Sequence, residues 1–252
     1  MKLRVLRVTF AQKATRVFSD RALQRMNNLK ELEAVAFDSA EKFLDHIDGP
    51  RGLLPQLRRL KLHFLPLLEC IPWEVVDLQN LRFLSIAHVD RLTSLFSGSA
   101  WFSLVLLEEI YVESCKNMEE IVAKEPEEKG TAAPDDEGEF PRLNTIELGE
   151  LPKLRRFSSL QKTLKFPKLR YVKLKGCPGI KEFSTGLHLA PRLTTVSIED
   201  TDEVIKEGLN VTLSLRAELH SHGVVAGNEK RAVASLRTET LTDDEGGKAL
   251  PA

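Results

Sequence analysis

The chain has 252 residues, of which 42% are hydrophobic and only 6% aromatic, and a formal net charge of −1 at neutral pH. A balance so close to zero excludes a global field that would draw the protein to nucleic acid or to an anionic membrane. Three cysteines in a chain of this length exclude a disulfide framework, and no apolar run approaches the roughly 20 residues that span a bilayer.

In chain order, one apolar phrase returns eight times: L-x-x-L-x-L-x-x-(L/C/V)-x-x-(L/I/M). Its first slots fall at Leu3, Leu32, Leu57, Leu81, Leu107, Leu143, Leu169 and Leu193, in steps of 29, 25, 24, 26, 36, 26 and 24 residues. A period in the twenties with this internal spacing is the signature of a leucine-rich repeat. The third repeat reads Leu57, Leu60, Leu62, Leu65, Leu68, Ile71, and the fifth Leu107, Ile110, Val112, Cys115, Met118, Ile121. Alternation at Leu60-Lys61-Leu62 predicts a short half-buried strand. The spacing in threes that follows suits a turn of helix or an irregular return segment. The predicted fold class is therefore an α/β solenoid. It is a leucine-rich-repeat horseshoe of about eight repeats, with a parallel β-sheet on its concave face, over residues 1–203. One repeat cannot bury its own apolar side, so neighbours must stack. Aspartate at Ile110 or Leu148 should break the stack locally.

The long fifth step marks an insertion at 124–139, where seven acids and one lysine lie between Glu125 and Glu139. Such a segment buries too little apolar area to order itself and predicts a disordered loop. Residues 204–222 predict a C-terminal cap, helix or strand, and 223–252 a disordered tail. The first repeat begins almost at Met1 with no polar cap ahead of it, which predicts a fragment or truncated form of a longer protein. Without a charged-then-apolar leader, the expected compartment is cytoplasmic or nuclear.

Cys115 and Cys177 occupy a slot filled by Leu65, Val89 and Leu151 in sister repeats, so they read as small buried hydrophobes, and the same is expected of Cys70. Prolines at 55, 141, 167 and 191 suit a turn that enters an exposed-edge strand, since proline supplies no donor to the ladder. The sequon Asn210-Val211-Thr212 and the pair His220 and His222 carry little weight as glycosylation or metal sites. Phosphate-loop, dinucleotide, zinc-protease and nucleophile-elbow motifs are absent. Neither enzymatic activity nor a cofactor is expected.

Binding is expected on the outward strand positions, which have no core to fill. They are Val5, Arg7, Thr9; Ala34, Ala36, Asp38; Arg59, Lys61, His63; Phe83, Ser85, Ala87; Glu109, Tyr111, Glu113; Thr145, Glu147, Gly149; Tyr171, Lys173, Lys175; and Thr195, Ser197, Glu199. The face is banded: basic at repeat three, apolar at four, acidic at five and six, basic at seven. Tyr111 and Tyr171 among opposite charges are candidate interface anchors. Ten Lys or Arg and no acid between Lys153 and Lys181 offer a weaker alternative, salt-sensitive binding of an anionic ligand.

Several phrases together point further. Leu107-x-x-Ile110-x-Val112-x-x-Cys115 leads to Met118-Glu119-Glu120-Ile121-Val122, and the acidic loop to Phe140-Pro141-Arg142-Leu143. Then come Leu151-Pro152-Lys153-Leu154, Phe166-Pro167-Lys168-Leu169 and Gly176-Cys177-Pro178-Gly179-Ile180-Lys181. Over residues 1 to 200 these resemble the C-terminal repeats of plant coiled-coil nucleotide-binding leucine-rich-repeat disease-resistance proteins. The resemblance implies non-catalytic recognition in innate immunity. Its partners would be a pathogen effector, a guarded host protein, or the nucleotide-binding region of a receptor. That family's phosphate-binding loop and coiled coil have no counterpart in these 252 residues. The competing reading is a general leucine-rich adaptor, such as the substrate receptor of a ubiquitin ligase.

Overall fold

The computed structural model describes residues 3–11, 13–44, 52–77, 79–124, 137–205 and 208–221. In chain order the strands are β1 (Val5–Thr9), β2 (Glu31–Val35), β3 (Arg59–His63), β4 (Phe83–Ala87), β5 (Ser94–Ser97), β6 (Glu109–Glu113), β7 (Glu120–Ala123) and β8 (Gly138–Glu139). They continue as β9 (Thr145–Gly149), β10 (Arg156–Ser158), β11 (Leu164–Lys165), β12 (Tyr171–Lys175), β13 (His188–Leu189), β14 (Thr195–Ile198) and β15 (Thr201–Val204). Among the described residues helix is confined to α1 (Asp20–Gln24), α2 (Gly98–Phe102) and α3 (Leu209–Ser221).

One sheet runs through the molecule in the order β1-β2-β3-β4-β6-β9-β12-β14-β15. Its first eight strands are parallel, one per coil, and β15 closes it antiparallel to β14. The chain is thus the solenoid that the repeat predicts. The return paths form two smaller parallel sheets, β5-β7-β10 and β8-β11-β13, so strand and turn replace most of the helix that spacing in threes allowed.

Alternation decides the core. In each strand of the large sheet from β2 to β14 two apolar side chains point inward and are buried: Leu60 and Leu62, Leu84 and Ile86, Ile110 and Val112, Ile146 and Leu148, Val172 and Leu174 among them. Each such side chain contributes roughly 1.5–3 kcal/mol when fully buried. Sparse as they are, the aromatics concentrate between the return paths. Trp73 meets Phe96 (5.0 Å between ring centroids), Phe96 meets Trp101 (5.4 Å), Trp101 meets Phe140 (4.4 Å), and Phe157 stacks on Phe183 (4.6 Å). The ring of Phe102 lies where a side chain at Gly138 would stand, so glycine is required there.

In the large sheet each strand from β1 to β12 is followed at once by a residue with positive φ: Phe10 (59°), Ala36 (60°), Phe64 (56°), His88 (54°), Ser114 (53°), Glu150 (50°) and Gly176 (63°). Only glycine takes that conformation without a Cβ penalty. The ladder between coils holds the others in it. The N–H of Phe64 donates to Ala87 O (2.9 Å), that of His88 to Glu113 O (3.0 Å), that of Ser114 to Gly149 O (2.9 Å).

Proline takes up turns, as expected at Pro55, Pro167 and Pro191. Pro55, Pro66, Pro152, Pro167, Pro178 and Pro191 each hold the second position of a four-residue turn whose fourth N–H donates to the first carbonyl, as from Leu57 to Leu54 (2.9 Å) and from Leu154 to Leu151 (3.1 Å). A preset φ suits that position.

The second repeat is out of step with the sequence reading. Leu32 and Ala34 are the inward residues of β2, and the first slot is Leu29, fully buried. Ala34 is therefore core, Ala36 is the positive-φ residue and Asp38 lies in the following turn; the outward residues are Glu31, Glu33 and Val35. Of the insertion 124–139, Gly138 and Glu139 form β8, where a disordered loop was expected, and the Lys124 N–H donates to Ser159 Oγ (2.9 Å). Residues 125–136 and 222–252, with the expected loop and tail, lie outside the described residues, as does His222.

Candidate protein-binding face

Strand register lines the outward residues into three rows across the coils. One runs Val5, Glu31, Arg59, Phe83, Glu109, Thr145, Tyr171; the next Arg7, Glu33, Lys61, Ser85, Tyr111, Glu147, Lys173, Ser197; the third Thr9, Val35, His63, Ala87, Glu113, Gly149, Lys175. Every outward position expected for coils one and three to seven stands in these rows. Glu199 does not: β14 ends at Ile198, and Glu199 and Asp200 make the tight turn into β15 with φ of 48° and 62°. Its carboxylate instead accepts from the Gly176 N–H (2.7 Å). Sequence reasoning missed Glu31 and Glu33, because the alanine at a leucine slot disguised the register.

At the centre of the face the guanidinium of Arg59 lies 4.0 Å from the ring centroid of Phe83, with the Lys61 ammonium 5.8 Å away. Such cation–π contacts hold a charge outward over an apolar surface. Phe83 in turn packs against Tyr111 (5.3 Å). The Tyr111 hydroxyl donates to Glu109 Oε2 (3.0 Å), and its pKa is pushed up to about 12 by burial and by that carboxylate. The phenol is therefore a neutral donor at physiological pH. His63 shares a hydrogen with Ser85 Oγ (2.8 Å) and its pKa is lowered, first by burial and then by Lys61.

The flanks differ. Arg7 pairs with Glu33 (2.8 Å), and Lys173 and Lys175 both reach Asp200 (2.9 and 2.6 Å), whose pKa they hold down to about 2. In the basic run from Lys153 to Lys181 several further cations are also paired. Arg155 faces Glu119, Arg156 lies between Glu120 and Glu182, and Lys165 pairs with Glu137.

Cys115 and Cys177 are buried, their thiols pushed up to about 11 by desolvation, and Cys177 Sγ donates to Lys175 O (3.4 Å). Cys70 is exposed, contrary to expectation, because it falls outside the repeated slot. Among the described residues no group of His, Cys, Asp and Glu is placed to hold a metal ion, and no helix is long and apolar enough to cross a membrane.

Parallel strands stacked one per coil over leucine slots, with an outward face free of core duty, define a leucine-rich-repeat solenoid, a fold typical of interaction modules. The family model for plant disease resistance protein RPS2-like leucine-rich repeats matches residues 1–116 and again 80–186, and the chain belongs to that family. No curated protein and no solved structure matches the chain.

Proposed function

We propose that this domain is a non-catalytic recognition module of plant defence, and that its concave face grips a protein. The partner is a pathogen effector, a host protein that an effector alters, or the nucleotide-binding region of a receptor. The observation that carries this reading is the outward face itself. Within a disease-resistance family, it sets a cation–aromatic cluster at Arg59, Phe83 and Tyr111 between bands of opposite charge. Rigid aromatics and arginine flanked by charge are the composition of interface anchors. The same reading places the chain inside the cell, in cytoplasm or nucleus.

Proximity labelling in leaf tissue tests it. The full chain should label a reproducible set of proteins, and Lys61→Glu with Tyr111→Ala should change that set while the melting temperature stays fixed. An identical set with and without the substitutions would overturn the assignment to this face. Recovery of ubiquitin-ligase scaffold subunits as the main partners would favour the adaptor reading instead.

A further inference from the structure

Charges on the outward face are disposed of in two ways. On the flanks they are neutralised within the molecule: Glu33 by Arg7, and Lys173 and Lys175 by Asp200. In the middle they are left open. Arg59 and Lys61 lie toward the ring of Phe83 and pair with no carboxylate, and Glu113 and Glu147 have no ion-pair partner among the described residues. Register puts Arg59 and Lys61 on coil three, Phe83 on coil four, Glu113 on coil five and Glu147 on coil six. Open cations, an aromatic floor and open carboxylates therefore follow one another along the axis.

We infer that this stretch takes a single bipolar polypeptide segment. It presents an acidic side chain to Arg59 and Lys61, an apolar or aromatic one to Phe83, and a basic one to Glu113 and Glu147. The inference rests on the reading of this face as protein-binding and adds the partner's chemistry. Complementary potentials select partners and fix register, whereas juxtaposed like charges reject them. A uniformly anionic ligand would be attracted at coil three and repelled at coils five and six; a uniformly basic one would meet the reverse. Three strand steps of 4.7–4.9 Å separate coil three from coil six, about 14 Å, which an extended chain covers in roughly four residues. The flanking charges of Arg7, Glu33, Lys173 and Lys175 take no part, since they already have partners.

The test is selection from a phage-displayed library of random peptides against the immobilised full chain. Wild type should enrich peptides in which an acidic and a basic residue flank an apolar or aromatic one. The double variant Glu113→Lys/Glu147→Lys should enrich peptides that keep the acid and lose the base. Arg59→Glu/Lys61→Glu should enrich the opposite class. A peptide selected on wild type should lose roughly tenfold or more in affinity on either variant, with melting temperatures unchanged because all four positions are outward. The same peptides on all three proteins, peptides lacking either charge, or no enrichment on wild type would each overturn the inference. Failure here is separable from failure of the recognition reading. Leaf partners whose labelling both double variants leave intact would keep recognition and remove this charge order.

Discussion

Asn210 closes the last coil on Ser184. Its Nδ2 donates to Ser184 O (2.8 Å), while its Oδ1 accepts from the N–H groups of Phe183 (2.6 Å) and Ser184 (3.2 Å). In the preceding coil the backbone does this work, with Phe157 and Ser158 donating to Phe183 O. The carboxamide at the start of α3 thus makes the bonds that the backbone of the next coil makes one coil earlier, and Leu209 and Leu213 of the same helix bury against the core. Solenoids need such an end piece to shield the stack.

Asn210→Ala leaves three buried or half-buried backbone groups without partners. The expected loss is about 1–3 kcal/mol of stability, read as a lowered melting temperature against an exposed control, Val211→Ala. Equal melts for the two variants would remove the capping role.

Positive φ at the end of the strands predicts a gain from glycine. Ser114 (φ 53°) makes no side-chain hydrogen bond among those described, so Ser114→Gly relieves the Cβ strain without losing a contact. Relief of about 1–2 kcal/mol, less the entropy that glycine adds to the unfolded chain, leaves a net gain of about 0.5–1 kcal/mol. A denaturant midpoint that moves down would show that the ladder imposes no strain at this position.

Two histidines predict how stability changes with pH. His63 and His188 both have pKa values lowered from 6.5, chiefly by burial, with Lys61 adding to the effect on His63 and a backbone contact at Gly186 opposing it on His188. The unfolded chain then binds more protons than the folded one below pH 6.5. The contribution to stability is intact above the unfolded value and is lost as pH falls through the folded values. Melting temperature should therefore drop from pH 7 to pH 5, and the double variant His63→Gln/His188→Gln should show a flatter profile over that window. A profile as steep as wild type would assign the slope to carboxylates.

Thiol chemistry separates the three cysteines. Only thiolate reacts, and burial raises the thiols of Cys115 and Cys177 to about 11. Cys70 is exposed, although burial of part of its side chain, with Glu69 and Glu74, raises its pKa as well. Mass spectrometry of native protein treated with iodoacetamide should find one slow adduct, at Cys70, that forms faster as pH rises. Three adducts without denaturant would contradict the burial of the repeated slot.

The apolar period was readable directly. Leu60, Leu62, Ile110, Val112 and their counterparts declare their inward direction through spacing alone, because alternation is a local property of extended chain. From this the solenoid, the sheet and most of the outward residues follow. The register of the second repeat was hidden where Ala34 replaces a leucine, and only packing distinguishes a small core residue from a surface one. The positive φ of Phe10, Phe64 and His88 was not legible at all, since these residue types do not seek it; hydrogen bonds from the next coil impose it. Glu199 left the face because β15 turns back on β14, a long-range choice. Lys173 and Lys175 lost their open charge to Asp200, some 25 residues along the chain. The sequence by itself determined that the large apolar residues of the repeated slots are buried, because apolar pattern acts over a few neighbours. Only the tertiary structure decided which surface charges remain open, because pairing depends on what the adjacent coil brings within reach.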